Sequence, residues 1–481
     1  MLKAKIRPHG GIHPDSHKQL SSEQTIRPME APTRLILALR QHAGAPAIPV
    51  VSVGEHVDAY QQIARSNGRF SMPIHTPLSG EVTAVTAQNI SIRVDSEQKG
   101  SASPLNRDLS LLDRASMIEL VAEAGIVGMG GAMFPTADKL KLSLQFPIKT
   151  LIINGSECEP YLTCDDRLMR EQGELILGGL HYMMQMTGAS EAFIGIEGNK
   201  PAALAQMDAL CADEPEINVV ELPALYPMGS EKQLIEAVTG LQVPSGKLSA
   251  DIGVLVQNVA TCIAVFSALR FGRPLTHRVI TVSGDAVEQP GNVLAPIGMP
   301  ISEIISQCGG LKSTPSRIVL GGPMMGRAIN DIHAPVNKGT SGILLLTEEE
   351  IPAPKASACV RCGRCVGACP MGLTPVEMVN ELKRDQFDAA SDMGLSDCLL
   401  CGSCAYVCPA AIPLTEYFDW GKQTLNRKRQ EAMKSKRTCE NSAARRERLE
   451  REAAEKEAAK AAKAAASPRR PSRRSSVQEA S

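Results

Sequence analysis

The chain has 481 residues, 43% of them hydrophobic and 21% charged, which is length for about three domains of ~150 residues. Its nearest approach to an apolar span, residues 253–269, is interrupted by Gln257 and Asn258, so a membrane-crossing helix is excluded. Aromatic residues make up 3% with a single tryptophan, too few for stacking platforms, so no specific nucleic-acid partner is expected.

The net charge of −1 hides an uneven distribution: the stretch from Arg427 onward carries a clear basic excess and leaves residues 1–426 acidic. Of 14 cysteines, most lie in two tight runs and the rest are scattered, which points to a reducing compartment and not a disulfide framework. Met1-Leu2-Lys3-Ala4-Lys5 reads as no secretory leader.

In chain order, residues 1–30 are polar and contain Gly10-Gly11-Ile12-His13-Pro14; they are expected to form an arm lying on the surface. Short β-type runs between turn residues follow through residues 31–110, at Ile74–His75, Ser79–Val82 and Ile90–Val94, and predict a small barrel or sandwich. The turn Pro77-Leu78-Ser79-Gly80-Glu81-Val82 resembles the second half of biotinyl/lipoyl barrel-sandwich domains. No lysine lies between Lys18 and Lys99 to carry a prosthetic group, so a structural barrel is expected.

A helix around Ser116–Val121 leads into the glycine-rich loop Gly128-Met129-Gly130-Gly131-Ala132-Met133-Phe134-Pro135-Thr136. Such a loop lets backbone N–H groups close on a phosphate. Met133 occupies the third glycine position, so it is not the dinucleotide fingerprint. The apolar strand Thr150–Ile153 ends in Asn154-Gly155-Ser156-Glu157-Cys158-Glu159-Pro160, polar residues where α/β sheets place ligands. Helix 173–187, strand 192–196, helix 201–211 and strand 219–222 continue a βαβ rhythm that predicts a parallel sheet over 111–273. Residues 274–350 read as a β-grasp-like module: a hairpin at Val279–Val293, a helix at 300–307 and a strand at 317–320. The proline-rich stretch Ile351-Pro352-Ala353-Pro354 marks the next boundary.

Residues 351–426 hold the strongest signal. Cys359, Cys362, Cys365, Cys369-Pro370 and Cys398, Cys401, Cys404, Cys408-Pro409 each follow C-x2-C-x2-C-x3-C-P, the thiolate spacing of a [4Fe–4S] cube. The fourth cysteines are expected to cross over, Cys408 to the first cube and Cys369 to the second. C-x2-C pairs also bind zinc, but zinc needs neither the third cysteine nor the proline. Helical apolar spacing between the runs (Val376, Val379, Leu382) makes this domain helical. The tail, 427–481, is rich in Ala, Lys, Glu and Arg; it reads as a solvated helix with no stripe to bury, then a disordered end from Ser467.

The loop G-M-G-G-A-M-F-P-T, the strand end N-G-S-E-C-E-P, then Y-P-M-G-S-E and Q-N-V-A-T, occur in the order seen in the NADH/FMN-binding flavoprotein subunit of respiratory complex I. With a barrel-sandwich ahead and two ferredoxin-type runs behind, the chain to about residue 425 resembles the C subunit of the Rnf (Rsx) electron-transport complex. The resemblance implies a multidomain α/β protein: barrel-sandwich β domain, Rossmann-like FMN/NADH domain, β-grasp-like module, helical two-cluster ferredoxin domain and basic tail. It implies FMN at Gly128, Gly130, Gly131, Ala132 and Lys139, with Asn154, Glu157, Asn258 and Thr261 at the flavin's polar edge and ribityl chain. Phe134, Glu159 and Glu231 would face NADH. It also implies two [4Fe–4S] clusters and, as partners, other Rnf subunits and ferredoxin or another low-potential acceptor. The expected location is peripheral, on the cytoplasmic face of a bacterial inner membrane. Met129, Met133, Ser156 and Ser230 depart from the family, where Arg, Gly, Asp and Glu stand. A cobalamin-reductase-like flavin/iron–sulfur enzyme, and an electron wire without flavin, are the alternative readings.

Overall fold

A computed structural model describes residues 1–98, 105–109, 111–351 and 355–466. The proline-rich boundary at 352–354, Lys99 and the stretch from Ser467 lie outside the described residues. The chain divides into two compact units, Met1–Phe418 and Asp419–Ser481.

The first unit is organised by a five-stranded parallel sheet, in spatial order Leu2–Lys3, Ile217–Leu222, Glu191–Glu197, Thr150–Gly155 and Val254–Asn258. Near-continuous apolar strands are what a sheet covered on both faces requires. Leu151 and Ile153 face the helices Gly173–Thr187 and Val259–Phe271, while Ile152 faces the helix Glu231–Thr239 on the other side. The strands and helices that periodicity predicts here agree with the structure to within two residues.

Ahead of this sheet, a four-stranded layer (Arg34–Ala38, Asn89–Val94, Gly80–Val85, His56–Val57) packs against a three-stranded one (Ile48–Pro49, Gln62–Arg65, Ile74–His75). Their inward residues, among them Leu35, Leu37, Ile63, Val82 and Ile92, are fully buried. Behind it, the β-grasp-like module runs Arg327–Ile329, Arg317–Leu320, Gly342–Leu346, His277–Ser283, Gly291–Pro296, with helix Ile301–Gln307 against its apolar face.

Residues 1–30, expected as an arm lying on the surface, are largely exposed, with Pro8, Ile12 and Ser21 buried, and the structure ties them down in three places. Leu2–Lys3 forms an edge strand of the parallel sheet, and Arg27–Pro28 adds a sixth strand to the β-grasp sheet. Between them, Gly10 passes so close to the Cys369 carbonyl that an added Cβ would stand 2.5 Å from its oxygen, and its φ of +67° is one that glycine adopts freely. Two-residue strands carry no periodicity, so sequence reasoning had nothing to detect.

In the cluster region, the helix expected between the cysteine runs ends at Lys383. Asp385 turns with φ of 58°, and a second helix, Phe387–Asp392, follows. In the second unit, every residue from Asn426 to Ala466 is exposed, as the absence of an apolar stripe predicts for a solvated helix.

Candidate functional site

The strand Thr150–Gly155 delivers its C-terminal end beside the glycine-rich loop; Ala132 in that loop is exposed, and the polar side chains named from sequence each have a definite partner. Asn154 donates from Nδ2 to the Gly229 carbonyl at 2.8 Å, while its Oδ1 accepts from Ser156 N–H. Asn258 caps helix Val259–Phe271 by accepting from Ala260 N–H, and its Nδ2 donates to Asp165 at 2.7 Å. Thr261 Oγ1 accepts the Met129 N–H at 3.1 Å. The loop is thus tied to the start of that helix.

Glu157 accepts the N–H groups of Asp165 and Asp166, at 2.7 and 3.1 Å, where helix Cys164–Glu171 begins. A carboxylate there satisfies otherwise orphaned donors and meets the positive end of the helix dipole. Glu159 accepts from Met324 N–H (3.0 Å) and Met325 N–H (2.9 Å) in the β-grasp module. Lys139 and Glu231 meet each other in an ion pair at 2.9 Å, so the two charges assigned to different ligands lie side by side. Phe134 packs on Phe70 of the barrel domain, ring centroids 5.0 Å apart.

The open side of the loop fits a flavin phosphate. Gly130 and Gly131 are exposed; an added Cβ on Gly130 would first meet Asn258 at 3.8 Å, and on Gly131 nothing within 4 Å. The two departures from the family loop do not fill that space. Met129 is buried in the core, and the Met133 side chain lies against Gly339 of the β-grasp module.

Sequence reasoning missed several residues. Lys18 Nζ donates to the Glu157 and Glu159 carbonyls at 2.9 and 2.8 Å, fixing the strand end from the N-terminal arm. Behind Ser156 lies a buried pair, Lys200 with Glu197 at 3.0 Å, and Ser156 Oγ donates to Glu197. Asp165, next to Glu157, has its carboxyl pushed up to about 7, chiefly by burial and then by the Glu157 charge. Tyr226 donates from its hydroxyl to the Cys401 carbonyl at 2.7 Å and lies within reach of the Glu159 carboxylate. The motif Y-P-M-G-S-E contained that tyrosine, but no local signal shows a contact 175 residues away.

Glu159 is pushed up to about 7 by burial, against the Met324 and Met325 N–H groups, Lys18 and Tyr226, from an ordinary 4.5. Between those values the unfolded chain has released a proton that the folded chain retains, so this group costs stability progressively as pH rises from 4.5 to 7. Glu159→Gln is expected to flatten that decline by up to about 3 kcal/mol. Denaturant melts across that range check it; an unchanged slope would show that Glu159 does not titrate there.

The structure gathers four of the cysteines into one cage and leaves the first run more open. Cys369, Cys398, Cys401 and Cys404 line one cavity with Met371 and Phe418, and Cys404 faces the other three. The crossover of Cys369 to the second run is therefore present in the fold. Cys369, Cys401 and Cys404 are buried, whereas Cys359 and Cys362 of the first run are exposed and Cys365, which faces Cys359, is half-buried, as is Cys408. Four thiols round an apolar cavity suit a cube whose sulfurs and irons need no further protein ligand.

These domains match known ones. Residues 6–98 match the RnfC barrel sandwich hybrid domain, 121–267 the Nuo51 FMN-binding domain, 279–328 the SLBB domain and 358–412 the 4Fe-4S dicluster domain. The first match takes in most of the N-terminal arm. Fold and site together define a multidomain oxidoreductase subunit for electron transport, equipped for FMN and two [4Fe–4S] clusters.

Similar proteins narrow this further. The chain is 47% identical over 432 residues to the C subunit of the ion-translocating oxidoreductase complex of Rhodobacter capsulatus, covering 87% of this chain and 83% of that one. It is 40% identical over 393 residues to the C subunit of the proton-translocating ferredoxin:NAD(+) oxidoreductase complex of Clostridium ljungdahlii, covering 80% and 86%. To the C subunit of the Na(+)-translocating ferredoxin:NAD(+) oxidoreductase complex of Acetobacterium woodii it is 38% identical over 391 residues, covering 79% and 88%. The chain belongs to this family, the C subunits of the ion-translocating oxidoreductase (Rnf) complexes. Among the described residues no helix is long and apolar enough to cross a membrane.

Proposed function

We propose that this chain is the peripheral electron-input subunit of an Rnf-type complex, held at the cytoplasmic face of a bacterial inner membrane by its partner subunits. It passes electrons between NADH and, through FMN and the two clusters, ferredoxin and the membrane partners, which perform ion translocation. Relatives named for protons and for Na+ match this chain over most of their length, in keeping with an ion pathway that lies elsewhere in the complex.

The carrying observation is the Tyr226 hydroxyl on the Cys401 carbonyl at 2.7 Å. It joins the flavin-side strand end to the buried cage, with Ile12, Cys158, Met324 and Leu399 packed round the contact. The buried cage is therefore the entry cluster, and the cage of Cys359, Cys362, Cys365 and Cys408 the outward one, open to a redox partner.

Around the flavin, Gly130, Gly131 and Ala132 present backbone N–H groups to the phosphate, beside Lys139, while Gly128 closes the loop by donating its own N–H to the Phe134 carbonyl at 2.7 Å. Asn154, Glu157, Asn258 and Thr261 hold the polar edge and ribityl chain, and Phe134, Glu159 and Glu231 line the NADH side. FMN, when bound, accepts the two electrons of a hydride together and releases them singly, which one-electron cubes require. The protein positions the donor, excludes water and holds a proton on Glu159 close to neutral pH.

Anaerobic stopped-flow mixing of NADH with iron-loaded, FMN-supplied protein tests the reading. Flavin bleaching followed by loss of cluster absorbance is expected. Tight cluster content with no FMN binding would instead identify an electron wire.

A further inference from the structure

The β-grasp module makes one contact with the glycine-rich loop that nothing in the sequence announces. Arg278, at the start of strand His277–Ser283, is only 2% exposed. Its Nη2 donates to the Met129 carbonyl and its Nε to the Thr340 carbonyl, both at 3.2 Å. Nη1 has no acceptor among the described residues, and Cys164 and Asp165 are the groups its charge faces. Burying a guanidinium with one nitrogen unsatisfied is costly, so the position calls for a reason beyond packing.

We propose that Arg278 is the positioning residue of the flavin loop: by holding the Met129 carbonyl it turns the loop's N–H groups toward the FMN phosphate. Met129 is gripped on both sides, its N–H by Thr261 and its carbonyl by Arg278. In a planar trans peptide the carbonyl of one residue and the N–H of the next point in opposite directions. Drawing the Met129 carbonyl down onto Arg278 therefore turns the Gly130 N–H up, toward the open side where Gly130 and Gly131 are exposed. A donor held in place this way needs no reorganisation when an anion arrives. Arginine's planar fork fixes the direction of both bonds, where lysine offers a rotatable point charge.

The proposal rests on the assignment of loop 128–134 to FMN, and the experiment separates the two. Iron-loaded wild type, Arg278→Met, Arg278→Lys and Arg317→Met are titrated anaerobically with FMN and with riboflavin by fluorescence quenching, with iron content and thermal melting measured alongside. Arg317 is an exposed arginine of the same module. Arg278→Met is expected to weaken FMN binding about tenfold or more, and riboflavin much less, so that preference for the phosphorylated ligand narrows. Arg278→Lys should fall between wild type and Arg278→Met, and Arg317→Met should match wild type. Loss of both ligands in equal measure would assign Arg278 to packing alone and overturn the proposal, as would FMN affinity within about twofold of wild type. If Arg278→Met does not fold, Arg278→Lys decides: an FMN preference unchanged from wild type overturns the proposal. Failure of the wild type to bind FMN would instead overturn the loop's assignment.

Discussion

Replacing Cys404 by serine is expected to remove the buried cluster and with it every electron that NADH delivers to the outward one. Two four-iron cubes give about eight irons per chain, and the variant should retain about four. The asymmetry between the cages makes the result specific. Cys404 is 8% exposed and faces Cys369, Cys398 and Cys401, and that cage joins the flavin domain through Tyr226. Cys365→Ser should also leave about four irons, but its surviving cluster is the buried one and should still be reduced by NADH. Iron quantitation with electron paramagnetic resonance of NADH-treated samples checks both. NADH-driven reduction of the outward cluster in Cys404→Ser would reverse the proposed order.

Lys338→Met is expected to cost about 2–4 kcal/mol. This lysine is fully buried where three domains meet: its Nζ donates to the carbonyls of Pro73 in the barrel domain, at 2.9 Å, and of Gly125 in the flavin domain, at 2.6 Å. Methionine fills the volume but strands both carbonyls. Burial pushes the Lys338 amine down to about 7 from an ordinary 10.5. Between those values the unfolded chain binds a proton that the folded chain has released, so wild-type stability rises with pH across the interval. The variant lacks that rise, so the gap between the two should widen from about pH 7 to about pH 10. Chemical denaturation at several pH values measures it; a constant gap would place the Lys338 amine outside that range.

These two residues mark what the sequence could and could not reveal. Cys404 belongs to a motif whose spacing is that of a [4Fe–4S] cube, and residues 358–412 match the 4Fe-4S dicluster domain, so that chemistry was readable directly. The apolar strands and the helix at 173–187 were readable because burial imposes a local period. Lys338 is the single charge in the run from Ala334 to Leu346, an anomaly that marks a buried cation without naming its acceptors. Its contact with Gly125 spans 213 residues, that of Arg278 with Met129 spans 149, and that of Lys18 with Glu157 spans 139. Pairings over such distances follow from how domains stack, and no periodicity encodes them. The same reason hid the N-terminal arm, whose strands pair with Ile217–Leu222 and Gly291–Pro296, far along the chain. Lys139 and Glu231 were each singled out by the family resemblance, but not their pairing.

The most direct test follows the electrons through the intact chain. Anaerobic protein with both clusters is treated with NADH, with and without FMN, and the two clusters are followed by electron paramagnetic resonance. Both clusters should be reduced only when FMN is supplied, the buried one first. Reduction that proceeds equally well without the flavin, or that begins at the exposed cage, would contradict the proposed route.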